Sequence, residues 1–252
     1  MEDGLLKISV KNLLSMKRPA ESIPVLYSRR MQMPFPDDTC VKCGECAKEC
    51  RMGAIAVSDK WTVDVGMCLF CHRCAEACIN RSLRLVDAPD YVLRREDLIF
   101  RYGEPVERPC GAVDEKKRKA IGRSVNIREV DTGSCNACEV EVNSMSNRFY
   151  DMERFGMKVV ASPRHADVLL VTGPLTENMT EALDRVVAAT PNPKVVVAMG
   201  ACAISGGLFK DGKTHGGIDK TVDVNLYIPG CPPPPDAVIR ALLEAFGLTG
   251  RR

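Results

Sequence analysis

Gly133-Ser134-Cys135-Asn136-Ala137-Cys138 is the stretch on which the reading of this chain turns. It follows the apolar, β-branched run 125–130, and two more cysteines stand in matching places. Gly200-Ala201-Cys202 follows the run 194–199, and Pro229-Gly230-Cys231-Pro232 follows 225–228. Each is read as a loop beyond the end of a strand. Further strands are expected over 158–160 and 168–171. Helices are expected over 139–149, 177–189 and 236–246, the last entered through Pro232 to Pro235 and followed by Gly247. Strands alternating with helices imply a mainly parallel sheet covered on both faces. In such sheets, sites collect beyond the carboxyl ends of the strands. Cys135, Cys138, Cys202 and Cys231 can therefore converge, and four thiolates suit one iron–sulfur cluster. Gly133, Gly200 and Gly230 let backbone approach it and aim amides at its sulfurs.

Upstream, Cys40-x2-Cys43-x2-Cys46-x3-Cys50 is repeated as Cys68-x2-Cys71-x2-Cys74-x3-Cys78, and each copy leads into a small apolar stretch, 54–57 and 83–86. Three thiolates spaced by two residues can wrap three corners of a cubane, while the fourth, on the following turn, points toward the other copy. One cluster is therefore assigned to Cys40, Cys43, Cys46 and Cys78, and a second to Cys68, Cys71, Cys74 and Cys50. Zinc prefers paired cysteines at longer separations and often histidine. His72, between two ligands, is read as a supporting or surface residue. The repeat resembles bacterial 2×4Fe-4S ferredoxins. It departs from them where Arg51 and Ile79 replace the usual proline after the fourth cysteine, which bears on the local turn and the potentials.

Composition sets the outer bounds. A chain of 252 residues, 45% hydrophobic and near +2 in charge, can bury one large core or two smaller ones. Thirteen cysteines against three histidines, with no secretory-type signal, point to thiolate ligands rather than disulfides. Twelve are assigned above, and Cys110 is left as an unligated thiol. The first residues read as a short amphipathic helix, with Leu6, Val10, Leu13 and Leu14 on one face and Lys7 and Lys11 on the other. Two readings stay open for it: docking on a membrane subunit or headgroup layer, helped by Arg29 and Arg30, or a terminus packed on its own domain. The lysines exclude a membrane span. The basic run 116–119 is short, preceded by acids and free of interleaved aromatics, so nucleic acid is not an expected partner.

Residues 124–247 resemble the small, electron-transferring subunit of membrane-bound, energy-converting NiFe hydrogenases of the formate hydrogenlyase and Ech types, which are related to the respiratory complex I subunit holding the terminal cluster. The matching segments are 133–141, 162–174, Gly200-Ala201-Cys202 with Gly206-Gly207-Leu208-Phe209, and Pro229-Gly230-Cys231-Pro232-Pro233. Residues 1 to about 102 resemble the separate ferredoxin-type subunit of the same complexes. Fusion into one polypeptide is the departure. The complex I relative has two adjacent cysteines where Cys135 and Cys138 stand two residues apart here, which is the hydrogenase form.

The resemblance implies an α/β fold class, a flavodoxin-like parallel-sheet domain binding one 4Fe-4S cluster, preceded by a small α+β domain of bacterial-ferredoxin type. The expected division is a docking segment 1–36, a 2×4Fe-4S domain 37–102, a linker 103–123 and a hydrogenase small subunit/complex I 20 kDa-like domain 124–252. It implies three 4Fe-4S clusters and no catalytic residue of its own. The expected partners are a NiFe-type large subunit carrying the active site, membrane-arm subunits, and a ferredoxin or formate dehydrogenase-type donor. The expected location is peripheral, on the cytoplasmic face of the cell membrane. Glu141 is placed on the cluster side of its helix, assisting proton coupling, contacting the large subunit, or simply favoured by the helix N-terminus. Two other classes stay open: a subunit of a complex I-like NADH/ferredoxin:quinone oxidoreductase, and a free polyferredoxin carrier.

Overall fold

A computed structural model describes residues 30–106, 111–122 and 124–248. The amphipathic stretch near the N-terminus, Arg29 and Cys110 lie outside the described residues. Among those described, no helix is long and apolar enough to cross a membrane.

The first part of the chain is built from short elements: β1 (Gln32–Pro36), α1 (Glu45–Glu49), β2 (Ile55–Val57), β3 (Trp61–Asp64), α2 (Arg73–Glu76), β4 (Leu83–Asp87) and β5 (Ile99–Arg101). β1 pairs antiparallel with β4, and β3 lies between β2 and β5 in an antiparallel sheet of three. The cysteine repeat is also a structural repeat. Each motif carries its third cysteine, Cys46 or Cys74, on a one-turn helix, and those two helices touch. Arg73 reaches Glu49 across them at 2.5 Å.

Within 103–123 the chain forms a helix, α3 (Glu115–Ile121), capped by Asp114, whose side chain accepts from the amides of Lys116 and Lys117. Its last residue, Ile121, is buried in the core of the α/β half. There β6 (Val125–Asp131), α4 (Ala137–Ser144), β7 (Met157–Val159), β8 (Val168–Thr172), α5 (Thr180–Ala189), β9 (Val195–Met199), α6 (Gly200–Ser205), β10 (Leu226–Ile228) and α7 (Pro235–Ala245) follow. The sheet runs β10-β9-β8-β6-β7 with every pairing parallel. Read from the other edge this is the flavodoxin-like order 2-1-3-4-5, with its switch point between β6 and β8.

Three expected elements differ in the structure. The helix expected over 139–149 ends at Ser144, where the Ser144 hydroxyl donates back to the Val140 carbonyl and Asn147 then takes the amides of Phe149 and Tyr150 into a turn. The helix expected over 177–189 opens with a 3-10 turn, Glu177–Met179. The segment after β9, expected as a loop, is the helix α6.

Alternate residues of the central strands serve opposite faces of the sheet. Val168 and Leu170 of β8, with Val195, Val197 and Met199 of β9, join α7 and Val142 of α4 on one face. Leu169, Val171, Val196 and Ala198 join Leu183 of α5 and Ala203 and Ile204 of α6 on the other. That second core continues without a break into Trp61, Val63, Leu98 and Phe100 of the first half. Polar ties cross the same boundary. Ser205 donates to the Gly66 carbonyl at 3.1 Å, Lys210 to the Met52 carbonyl at 2.8 Å, and Val92 and Tyr227 exchange backbone bonds.

Candidate metal centres

The loop after β6 is held by the side chains of Asp131 and Thr132 bonding to backbone groups. Asp131 accepts from the amides of Gly133 and Ser134, both at 2.8 Å. Buried Thr132 donates to the Thr172 carbonyl at 2.6 Å and accepts from the Leu175 amide. This ties the loop to the end of β8 and sets Cys135 and Cys138 over the switch point. The sequence reading placed these cysteines in loops, but Cys138 stands on the first turn of α4 and Cys202 on the first turn of α6. Helix starts present free amides, which favour thiolate over thiol. The Ala201 amide is bound by the Gly230 carbonyl at 2.7 Å, which draws the Cys231 turn against α6.

Cys135, Cys138, Cys202 and Cys231 lie close enough to act on one another electrostatically. Burial, and then the neighbouring Glu139 carboxylate, pushes the Cys138 thiol far above its usual range. Burial and Cys231 push Cys202 to about 11. Two glycines leave the space these sulfurs occupy. A Cβ at Gly207 would stand 2.5 Å from Cys202 Sγ, and one at Gly200 2.9 Å from Cys138 Sγ.

The two upstream sets assemble across the repeat. Cys40, Cys43, Cys46 and Cys78 line one cavity together with Trp61, Ser82 and Leu83. Cys50 instead neighbours Cys68 and Cys74, and burial with these mutual charges pushes Cys74 to about 12 and Cys68 to about 11. Cys78 goes the other way. Burial opposes ionisation there, but the Ser82 hydroxyl and the amides of Leu83, Ser82 and Asn80 outweigh it and hold the thiol low. In the α/β half, Cys231 is raised by burial, then by Cys135, and then by Cys71. Cys71 of the second upstream set is therefore the neighbour of the α/β set.

The donor chemistry fits iron–sulfur clusters. Each set offers four thiols, each includes a buried thiol that burial holds above its usual range, and hydrogen-bond donors face the sulfurs. Among the described residues no group of three His, Cys, Asp or Glu is set to hold a single metal ion. The histidines are engaged elsewhere or lie aside: His72 Nε2 meets the Gln32 carbonyl at 3.0 Å, His215 Nε2 meets Thr180 Oγ1 at 2.9 Å, and His165 lines a small surface cleft with Arg164.

Glu139 is the acid beside the cysteines, where the sequence reading chose Glu141. Glu139 is 7% exposed, both of its carboxylate oxygens are buried without a hydrogen-bond partner among the described residues, and its charge bears on Cys138 and Cys202. Glu141 is raised by burial and by Asp236 instead. Its position directly after a helix-start cysteine was the available signal for Glu139.

The family model of the NADH ubiquinone oxidoreductase 20 Kd subunit matches residues 135–245. An uncharacterized protein of Methanocaldococcus jannaschii is 48% identical over 48% of this chain and 82% of its own length. The probable membrane-bound hydrogenase subunit mbhJ of Pyrococcus furiosus is 44% identical over 51% of this chain and 77% of its own. Formate hydrogenlyase subunit 7 of Escherichia coli is 47% identical over 52% of this chain and 51% of its own. Two of these three relatives bear the names of subunits of oxidoreductase complexes. With relatives this similar matched over most of their length, and with the fold and the four converging cysteines in place, the chain belongs, through its second half, to the family of the NADH ubiquinone oxidoreductase 20 Kd subunit.

Proposed function

We propose that this chain is the electron-transfer subunit of a membrane-associated NiFe hydrogenase-type complex, with a 2×4Fe-4S ferredoxin-type domain and a hydrogenase small-subunit domain in one polypeptide. The ligand sets are Cys40, Cys43, Cys46 and Cys78; Cys68, Cys71, Cys74 and Cys50; and Cys135, Cys138, Cys202 and Cys231. When bound, the three 4Fe-4S clusters supply one-electron redox chemistry, while the protein spaces, buries and hydrogen-bonds them. The observation that carries the reading is the nearness of Cys71 to Cys231, which links the two halves through their sulfur sets. It makes the Cys68 set the inner member of the upstream pair and the Cys40 set the outer one. The outer set faces the electron donor, a ferredoxin or formate dehydrogenase-type carrier, and the α/β set faces a large subunit that holds the active site. Leu208 and Phe209, 59% and 40% exposed just beyond Cys202, offer apolar surface of the kind an obligate partner covers. Peripheral attachment to membrane-arm subunits at the cytoplasmic face completes the reading.

The spacing of Cys135 and Cys138 favours a hydrogenase-type partner over a quinone-reducing one. The test is nickel content with hydrogen-dependent dye reduction, on the complex captured anaerobically from native membranes through a tag on this chain. Nickel at about one per three cubanes, with hydrogen activity, is the expected result. Iron without nickel or hydrogen activity, together with quinone turnover, would assign the chain to a complex I-like module instead. A monomeric protein carrying three clusters and no partner would make it a free carrier.

A further inference from the structure

The duplicated motif places its cysteines almost symmetrically, but the groups that touch their sulfurs are not symmetric. Val57 and Leu85 occupy the same place in the two copies, seven residues past the fourth cysteine. Val57 pairs across its sheet with Trp61, and Leu85 pairs with Pro34. Trp61 is fully buried, and its indole Nε1–H donates to Cys46 Sγ at 3.4 Å. Pro34, its counterpart, has no donor at all. Four residues past the fourth cysteine the copies differ again, with Ser82 in one and Ala54 in the other. Ser82 is 3% exposed, and its amide and hydroxyl lie 3.3 and 3.4 Å from Cys78 Sγ.

Cys46 and Cys78 come from different motifs, yet both belong to the outer set. Beyond the matching amides of Ala47 on Cys46 and Ala75 on Cys74, that set receives an indole, a hydroxyl and the amides around Cys78, whereas the inner set receives the Phe70 amide on Cys68 at 3.3 Å and feels the Asp64 carboxylate, which Arg95 holds at 2.6 Å. The indole is firmly placed. Phe35 meets its ring edge-on at 5.8 Å between centroids, and the Trp61 carbonyl is held by the Tyr102 amide at 2.9 Å. A hydrogen bond donated to a ligand sulfur favours the more negative, reduced state of a cluster, and a nearby carboxylate disfavours it.

We propose that Trp61 and Ser82 raise the reduction potential of the outer cluster above that of its inner partner, so that of the upstream pair the outer cluster takes the first electron. This rests on the ligand assignment proposed above. Trp61 and Ser82 are tuning residues that act through Cys46 and Cys78.

The test is a redox titration followed by electron paramagnetic resonance on the full chain loaded with its clusters, comparing wild type with Trp61→Phe, Ser82→Ala and the double variant. One midpoint should fall while the other two stay in place. In the double variant, the reduced-to-oxidised ratio of that cluster at a fixed potential should drop about tenfold, equivalent to 59 mV for a one-electron couple. Unmoved midpoints in variants that keep all three clusters, or equal movement of all three, would overturn the inference. Should Trp61→Phe lose the outer cluster outright, wild-type protein decides. Trp61 is the only tryptophan, so a 15N-indole label marks this contact alone. Its hyperfine coupling should appear when only the first of the upstream pair is reduced, and its absence then would overturn the inference. Iron content separates the two failures: a wild-type chain loading fewer than three cubanes overturns the ligand assignment and this inference with it, whereas three cubanes with unmoved midpoints overturn the inference alone.

Discussion

Gly207 shows how narrowly a single residue is constrained beside the sulfurs. Its φ is +53°, and an added Cβ would meet Cys202 Sγ at 2.5 Å and the Cys202 backbone at 3.0 Å. Left-handed backbone costs a residue with a side chain about 1–2 kcal/mol, and the sulfur must move as well. Gly207→Ala should therefore lower the iron bound by one cluster of three without unfolding the chain, as read by iron content together with circular dichroism. The thiols carry a second prediction. An unfolded cysteine titrates near 9.0, whereas burial raises Cys74 to about 12 and Cys68 to about 11, so both are protonated in the folded, metal-free protein at neutral pH. Ligation must release those protons. Cluster uptake by the metal-free protein should accordingly grow as pH rises from 7 toward 9, followed by visible absorbance during iron and sulfide addition. A pH-independent yield would contradict it. Without metal the signs are fixed too: the raised thiols contribute stability that is fully present below pH 9 and is lost as pH rises through 11 and 12.

At the scale of elements, α7 is the strut that carries the two halves. Arg240 on α7 donates to both oxygens of Asp90 at 2.9 and 3.0 Å and to Asp236 at 2.8 Å. The side chains are 12%, 14% and 1% exposed, in that order. Asp90 lies in the segment leading from β4 toward β5, so this fork pins the first half to the last helix. Breaking a buried ion pair by removing one partner costs about 3–5 kcal/mol, because the remaining charges stay buried and unpaired. Arg240→Ala should lose stability on that scale in denaturant titration. A change below about 1 kcal/mol would mean that water reaches the aspartates freely. Element by element, the sheet strands and α7 were legible from apolar runs and from the Pro-entered, Gly-ended pattern of 235–247. The helix α6 was not. It is six residues long, contains Gly200 and Cys202, and has no polar face to give a period, since its first five residues are all buried. Tertiary burial decides its form. For the same reason α3 read only as a charge run: a single turn-terminal residue, Ile121, marks its buried side.

For the whole molecule, one continuous core joins Trp61, Val63 and Leu98 to Leu169, Val196 and Ile204. A shared core unfolds as a unit. Loss of Trp61 fluorescence, which reports the first half, should coincide in denaturant with loss of the far-ultraviolet signal of the five-stranded sheet. Two separated transitions would show that the halves are independent. Within that one body the sulfur sets remain distinct. Cys202→Ser should abolish one of three spectroscopic signals and leave two, whereas loss of all three in a folded variant would sink the division of ligands proposed here.

The chain's own order of residues determined the repeat of the cysteine motif, because its spacing is a local pattern along the backbone. It also determined the alternation of strands and helices, because apolar periodicity is written over a few residues at a time. Four features were decided only by the tertiary structure: the neighbouring of Cys71 and Cys231, the place of Glu139 rather than Glu141 beside the cysteines, the indole of Trp61 on Cys46, and the single core beneath both halves. Most of these join residues far apart in the chain, and Glu139 differs from Glu141 only in the side of α4 that the packed fold turns toward the cysteines. No local period records such meetings, since they depend on how the sheet faces are covered and on which groups burial then leaves facing one another.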